Sequence, residues 1–231
     1  STGPERPRAR RRGTRWSAAF PWTIAAMTPL FEDDALLAFD KPAGLLAVPG
    51  RGADKHDCLW QRVRERWPDA LVVHRLDMAT SGLMLFGRGA EAQRRLSRDF
   101  ELRRIGKRYV AVVAGRMPAS SGRIELPLAA DWPRRPRQKV DPQHGKPALT
   151  DWQLTGFDPI EGSSRLCLRP LTGRNHQLRV HLAAIGHPIL GDPLYGTGTP
   201  RRERLLLHAA ALRLAHPVDG RTLELQCAAP F

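Results

Sequence analysis

Apolar and polar positions follow two different periods along this chain, and the points where the period changes mark its elements. "ALLAFD" (35–40) is a short apolar run closed by "KPAG", where Pro42 and Gly44 signal a turn, so a strand is predicted there. In "CLWQRVRERW" (58–67) Leu59, Val63 and Trp67 recur at helical spacing, and Pro68 stops the helix. "ALVV" and "LMLF" read as strands on either side of a polar loop. "AEAQRRLSRDFELRR" (90–104) is predicted as an amphipathic helix with Leu96 and Phe100 inward and a basic outer face. "KRYVAVVAG" (107–115) is a strand, and further strands are expected near "ALTDWQLTGF" and "SRLCLRPL". "NHQLRVHLAAIGHP" (175–188) has a helical stripe of Leu178, Leu182 and Ile185, with Gly186 past its end and Pro188 blocking continuation. There is no internal repeat, and no clean linker after residue 27. The expectation is a single α+β domain: a mixed, largely antiparallel sheet flanked by a few helices and loops.

Composition sharpens this picture. With 231 residues, 42% of them hydrophobic and 26% charged, the chain can bury a proper core. No apolar run approaches the roughly 18 residues that cross a bilayer, so a soluble protein without membrane contact is expected. Thirty-seven Lys and Arg against 23 Asp and Glu leave a net charge of +14. Arg dominates that excess, and its planar fork suits phosphate, so the expected partner is nucleic acid. Residues 1–26 carry Arg6, Arg8, Arg10, Arg11, Arg12 and Arg15 against Glu5 alone, with neither period, and read as a disordered basic tail. An Arg-rich, acid-poor start also has the character of a transit peptide, and Met27 is a candidate alternative start. Cys58, Cys167 and Cys227 are far apart and odd in number, which suggests neither a disulfide framework nor a thiolate zinc site and fits a cytoplasmic location.

Most candidate chemistry fails on spacing. His176 and His181 are five apart, so they do not share a helix face, and no acid lies between them. "GRGAD" and "GTGTP" are ordinary turns rather than phosphate loops, and Ser81 lacks a nucleophile elbow. What remains is the loop in "VVHRLDMATSGLMLF" (72–86), which places His74, Arg75 and Asp77 between two apolar runs. Asp, Thr, Ser and Gly are turn formers, so a plain turn is a full competitor on these residues alone. A carboxylate set against an arginine stays ionised, and if desolvated it suits attack at an electron-poor carbon or stabilisation of charge at a sugar C1′.

Several longer segments, in order from about residue 28 to the C-terminus, then carry a family resemblance. "HRLDMATSGL" resembles the H-R-L-D-x-x-T-S-G signature of the RluA family of pseudouridine synthases. "DKPAGLLAVPGR" is similar to the family's K-P-x-G-L segment, and "KRYVAVVAG" to its K-x-Y-x-A-x-V-x-G strand. "LTGRNHQLRVHLAAIGHPILGDPLYG" resembles its G-R-[ST]-H-Q-[IL]-R-V-H region, with Asn175 where Thr or Ser is usual, and "RLLLHAAAL" its L-H-A segment. "DWPRRPRQKV" and "GKPALT" further resemble the members that modify both 23S ribosomal RNA and tRNA.

The resemblance implies a pseudouridine-synthase-type domain over 27–231, with its cleft across the sheet. It implies isomerisation of uridine within RNA: the N1–C1′ bond breaks, the base turns, and C5 joins C1′, with no cofactor and no metal. Asp77 would be the catalytic carboxylate and Arg179 its partner. Tyr109 would be an aromatic surface for the flipped uracil and a candidate base for the C5 proton, though a free phenol near pKa 10 needs help from its surroundings. Arg75 would enter the RNA beside the extruded nucleotide, and Leu207 would line the uracil pocket. Arg134, Arg135, Arg137 and Lys139 would meet phosphates; Trp132 in the same loop reads as a core residue, with base stacking as the alternative. Asn175 can still cap its helix. The implied partners are ribosomal RNA, tRNA or both, with the protein acting as a monomer. Two other classes compete: a non-catalytic RNA-binding protein, which an altered Asp77 would have favoured, and a base-removing glycosidase, which usually needs a second carboxylate.

Overall fold

The structure, a computed structural model, describes residues 28–50, 56–196, 198 and 202–231; the predicted basic tail and Met27 lie outside these. In chain order the elements are β1 (Phe31–Glu32), β2 (Leu36–Lys41), α1 (Leu59–Arg66), β3 (Ala70–Val72), β4 (Ser81–Arg88), α2 (Gly89–Glu101), β5 (Gly106–Ala114), β6 (Ser121–Glu125), β7 (Leu128–Ala130), β8 (Gln138–Val140), β9 (Leu149–Asp158), β10 (Ser163–Pro170), α3 (Gln177–Ala184), β11 (Leu207–Ala215) and β12 (Thr222–Gln226). The main sheet runs β1-β2-β4-β11-β5-β10-β9-β6, with β3 paired to β4 and β12 to β11; β7 and β8 form a separate hairpin.

Leu36–Phe39 of β2 and Leu83–Phe86 of β4 are unbroken apolar runs because both faces of the sheet are covered there. Leu37, Phe39, Met84 and Phe86 meet Leu59 and Val63 of α1 and the ring of Trp67 on one side. Leu36, Ala38, Leu83 and Leu85 meet Leu96 of α2 on the other. Strands covered on both sides lose the alternation of a half-exposed strand. A third cluster joins β5, β10 and β11 to Leu178 and Leu182 of α3.

Two expectations need correction. α3 is not amphipathic: Gln177, Leu178, Arg179, Val180, His181 and Leu182 are all buried, while Ile185, expected in the stripe, is 36% exposed. Nor does Asn175 cap this helix. His176 is the cap residue, in the left-handed region at φ 53°, without a side-chain bond. Instead Gln177 Oε1 accepts the Arg174 N–H at 3.0 Å and the Thr172 hydroxyl at 2.7 Å, tying the preceding loop to the helix.

The strand β11, for which the local pattern gave no assignment, is central. It pairs antiparallel with β5 and parallel with β4, through His208↔Ser81 and Ala209↔Gly82. Gly82 has φ +111°, and a Cβ there would come within 2.6 Å of Ala209 N, so this crossing requires glycine.

Candidate active site

The loop between β3 and β4 is pinned from three sides. The Leu85 N–H donates to His74 Nε2 at 2.9 Å, which puts the ring proton on Nδ1, and the His74 ring stacks on Phe100 of α2 with centroids 4.3 Å apart. Burial pushes His74 down to about 3, so it is a neutral structural post. The Met78 carbonyl accepts from Gly44 N–H at 2.7 Å and from Lys41 Nζ at 3.2 Å. Lys41, fully buried, also donates to the Pro42 and Leu45 carbonyls at 2.8 Å each. Burial brings its ammonium down to about 7, against the pull of Asp77 and Asp40. The "KPAG" turn therefore holds the loop that presents Asp77, a role its turn-like appearance in sequence concealed.

Asp77 meets Arg179, 102 residues further along: Arg179 Nη1 donates to Asp77 Oδ2 at 3.1 Å. The guanidinium is 3% exposed and is oriented by a second acid. Arg179 Nε and Nη2 donate to the two oxygens of Asp192 at 2.8 Å each, a bidentate pair whose carboxylate is completely buried. Asp192 Oδ1 also accepts the N–H groups of Leu194 at 2.8 Å and Tyr195 at 3.1 Å. Burial alone would make Arg179 easier to deprotonate; Asp192 and Asp77 outweigh it and hold the cation.

His176 completes the surroundings of Asp77. Its Nε2 lies 3.9 Å from Asp77 Oδ2, and its Nδ1 is 2.7 Å from the Tyr195 hydroxyl. That hydroxyl also accepts the Gln138 N–H at 2.7 Å, and donation of its own proton to Nδ1 would leave the histidine proton on Nε2, facing the carboxylate. Burial lowers the His176 pKa; Asp77 opposes this and Arg179 adds to it. Both neighbours address Oδ2, and Asp77 Oδ1 has no hydrogen bond among the described residues.

These groups line a cleft of about 490 Å³ that also includes Arg75, Tyr109, Leu207, Lys107 and Arg174. Tyr109 projects from β5 between two core clusters. Burial, with the charge of Asp77, raises its phenol well above the ordinary value, so the surroundings work against a phenolate rather than for it. Leu207, 3% exposed, lies at the start of β11, and Arg75 is exposed at the mouth. Glu101, which sequence order does not associate with Asp77, also reaches the cleft.

The basic loop lies apart from the cleft lining. Arg134 pairs with Asp131 at 2.8 Å and Lys139 with Asp141 at 3.2 Å. Arg137 lies over the Tyr195 ring at 5.3 Å. Trp132 is not a core residue: it is 66% exposed, with the Arg135 guanidinium 3.6 Å above its ring. On the far face of the sheet, ligand atoms of Asp40, His208 and Cys227 lie within 4.8 Å of one another. His208 is already engaged there, by the Ser81 hydroxyl at 2.8 Å and the Cys227 carbonyl at 3.2 Å.

Known proteins resemble this chain in sequence and in fold. Residues 35–184 match the family model described as RNA pseudouridylate synthase. The chain is 48% identical over 214 residues to "Dual-specificity RNA pseudouridine synthase RluA" of Vibrio vulnificus (strain CMCP6), covering 90% of this chain and 84% of that one. The protein of the same name in Escherichia coli (strain K12) is 43% identical over 213 residues, covering 91% and 95%. Among solved structures, "Human RNA Pseudouridylate Synthase Domain Containing 1" superposes with a TM-score of 0.76 at 30% identity, covering 91% of this chain and 86% of that one. A carboxylate locked to a buried arginine at the floor of a basic cleft, in this sheet and with these relatives, leads to one statement: the chain belongs to the RNA pseudouridylate synthase family and is an RNA-modifying isomerase.

Proposed function

We propose that this enzyme isomerises uridines in both 23S ribosomal RNA and a tRNA anticodon stem-loop, with Asp77 as the catalytic carboxylate. The observation that carries the reading is the one-sided engagement of Asp77. Arg179 and His176 both face Oδ2, which leaves Oδ1 to meet the ribose C1′ or the base. Arg179, fixed by Asp192, keeps the carboxylate charged and aimed after the nucleotide displaces water. Tyr109 serves as the aromatic surface for the flipped uracil, and its raised phenol speaks against its taking the C5 proton. Leu207 closes the pocket, and Arg75 fills the stack that the nucleotide leaves. Base flipping costs a few kcal/mol and least for unpaired loop nucleotides, which fits an anticodon arm.

The basic loop with Arg134, Arg135, Arg137 and Lys139 contacts phosphates outside the cleft, and exposed Trp132 is available to stack on a base. Residues 27–231 form the catalytic domain and residues 1–26 an RNA-binding arm. The enzyme works as a monomer in the cytoplasm, and no described helix is long and apolar enough to cross a membrane.

The test is release of label from RNA carrying tritium at uridine C5. Joining C5 to C1′ expels that hydrogen, so tritium should enter water with no mass change beyond the exchange and no free uracil. Free uracil would identify a glycosidase, for which Glu101 would be the second carboxylate. Tight binding without release, on both anticodon-arm and ribosomal fragments, would identify a binding protein.

A further inference from the structure

Two lysines among the described residues are buried or partly buried, and they bracket what an ammonium needs. Lys41 spends its donors on three carbonyl oxygens at 2.8–3.2 Å. Lys107 does not. It is half-buried on β5, two residues from Tyr109 and so on the same face of the strand, and it lines the cleft. Among the described residues its one hydrogen bond is to the Thr172 carbonyl at 3.4 Å, near the limit of a useful bond, and it has no ion pair. Burial, with Arg103 adding, lowers its pKa, the expected response of a cation that lacks a counter-charge.

The neighbours repeat the sign. Arg103, a non-glycine residue at φ 59°, turns back into the cleft after α2. Arg174 spends its Nε on the Pro147 carbonyl at 3.1 Å and makes no ion pair among the described residues. The lining acids are Asp77, engaged by Arg179, and exposed Glu101, which forms no ion pair with these cations. Gly173 leaves the approach open: a Cβ there would stand 3.6 Å from Lys107 Nζ.

We propose that Lys107, flanked by Arg103 and Arg174, forms a phosphodiester subsite on the cleft wall that holds one of the two backbone phosphates adjoining the uridine seated on Tyr109. The inference rests on the functional reading above. An RNA phosphate supplies the missing anion. Lys107 then anchors the nucleotide during flipping and takes no part in bond making.

The experiment uses the full chain and a stem-loop whose converted uridine has been mapped with the wild type. Two further RNAs carry a single neutral methylphosphonate in place of the phosphate on one side or the other of that uridine. Lys107→Met should raise KM about tenfold with kcat within about threefold, the loss expected for one charge-assisted contact. Lys107→Arg should recover most of it. At one of the two linkages the methylphosphonate should raise the wild-type KM by a similar factor and add nothing further in Lys107→Met. Effects that multiply at both linkages, or an unchanged KM in Lys107→Met, would overturn the subsite. Should Lys107→Met fail to fold, as judged by its melting curve, Arg174→Gln on the same RNAs gives the same two readings. Conversion of no uridine in any anticodon-arm or ribosomal stem-loop offered to the wild type would instead count against the functional reading, and equal wild-type affinities for RNAs carrying the methylphosphonate beside each loop uridine in turn would then count against the subsite separately.

Discussion

Asp77 and Asp192 are both aspartates bonded to Arg179, yet they should fail in different ways when neutralised. Asp77→Asn keeps shape and loses the charge and the nucleophile, so pseudouridine formation should fall by more than about 10³ while RNA affinity holds. Near-normal product from the purified variant would remove Asp77 from the mechanism. Asp192 is buried, with its carboxylate spent on Arg179 and two backbone N–H groups. Asp192→Asn leaves a buried guanidinium half-compensated, which costs about 3 kcal/mol where a buried pair is broken. A urea titration should show that loss, along with a lower kcat and little change in KM. A variant as stable as the wild type would mean that Asp77 alone suffices to hold Arg179. The motif singled out Asp77 but not Asp192, because nothing local to "GDP" records that an arginine thirteen positions earlier folds back onto it.

At the scale of elements, β4 connects the loop to the sheet, and two of its contacts are sensitive. Gly82 lies against Ala209 of β11 at positive φ, so Gly82→Ala combines strain with overlap against backbone that cannot yield. A loss of about 3 kcal/mol or more is expected, seen as a fall in Tm, with activity lost together with the fold. A Tm within a degree or two of the wild type would show that β11 can shift. The second contact makes β4 sensitive to acid. His74 titrates near 3 when folded and near its ordinary 6.5 when unfolded. Between those values the unfolded chain binds the extra proton, so stability is full above about pH 6.5. It falls by roughly 1.4 kcal/mol per pH unit below that. His74→Gln, which can still accept the Leu85 N–H, should flatten this slope in urea midpoints measured between pH 7 and pH 5. An unchanged slope would place the acid sensitivity elsewhere, for instance at His181 or His208, which burial also shifts down.

For the whole molecule, the net charge of +14 sets long-range attraction to RNA, while the cleft decides which nucleotide reacts. Deleting residues 1–26 removes a net +5. RNA affinity should weaken and its dependence on salt become shallower, with Tm of the remaining chain unchanged. The same salt slope before and after deletion would mean that the first 26 residues do not contact RNA.

The chain by itself was enough for the α+β class, for most of the strands and helices with a clear period, and for naming Asp77, Tyr109 and Arg179 as candidates that the fold brings to one cleft, because periodicity and motif are local properties. Tertiary structure decided the rest. β11 is at the centre of the sheet, yet its first half, LHAAAL, carries neither period, since covered faces erase alternation. α3 was expected to show a helical stripe and is instead buried all round from Gln177 to Leu182, because Arg179 and His181 are buried among partners from distant segments. Trp132 was expected in the core and stands exposed, since an aromatic ring in a Pro- and Arg-rich loop has no periodic neighbours to say which way it faces. The roles of Lys41, His176, Tyr195 and Lys107 depend on which carbonyl, hydroxyl or empty space the folded chain brings to each polar atom. Burial and hydrogen-bond satisfaction are properties of that three-dimensional neighbourhood, and no spacing along the sequence encodes them.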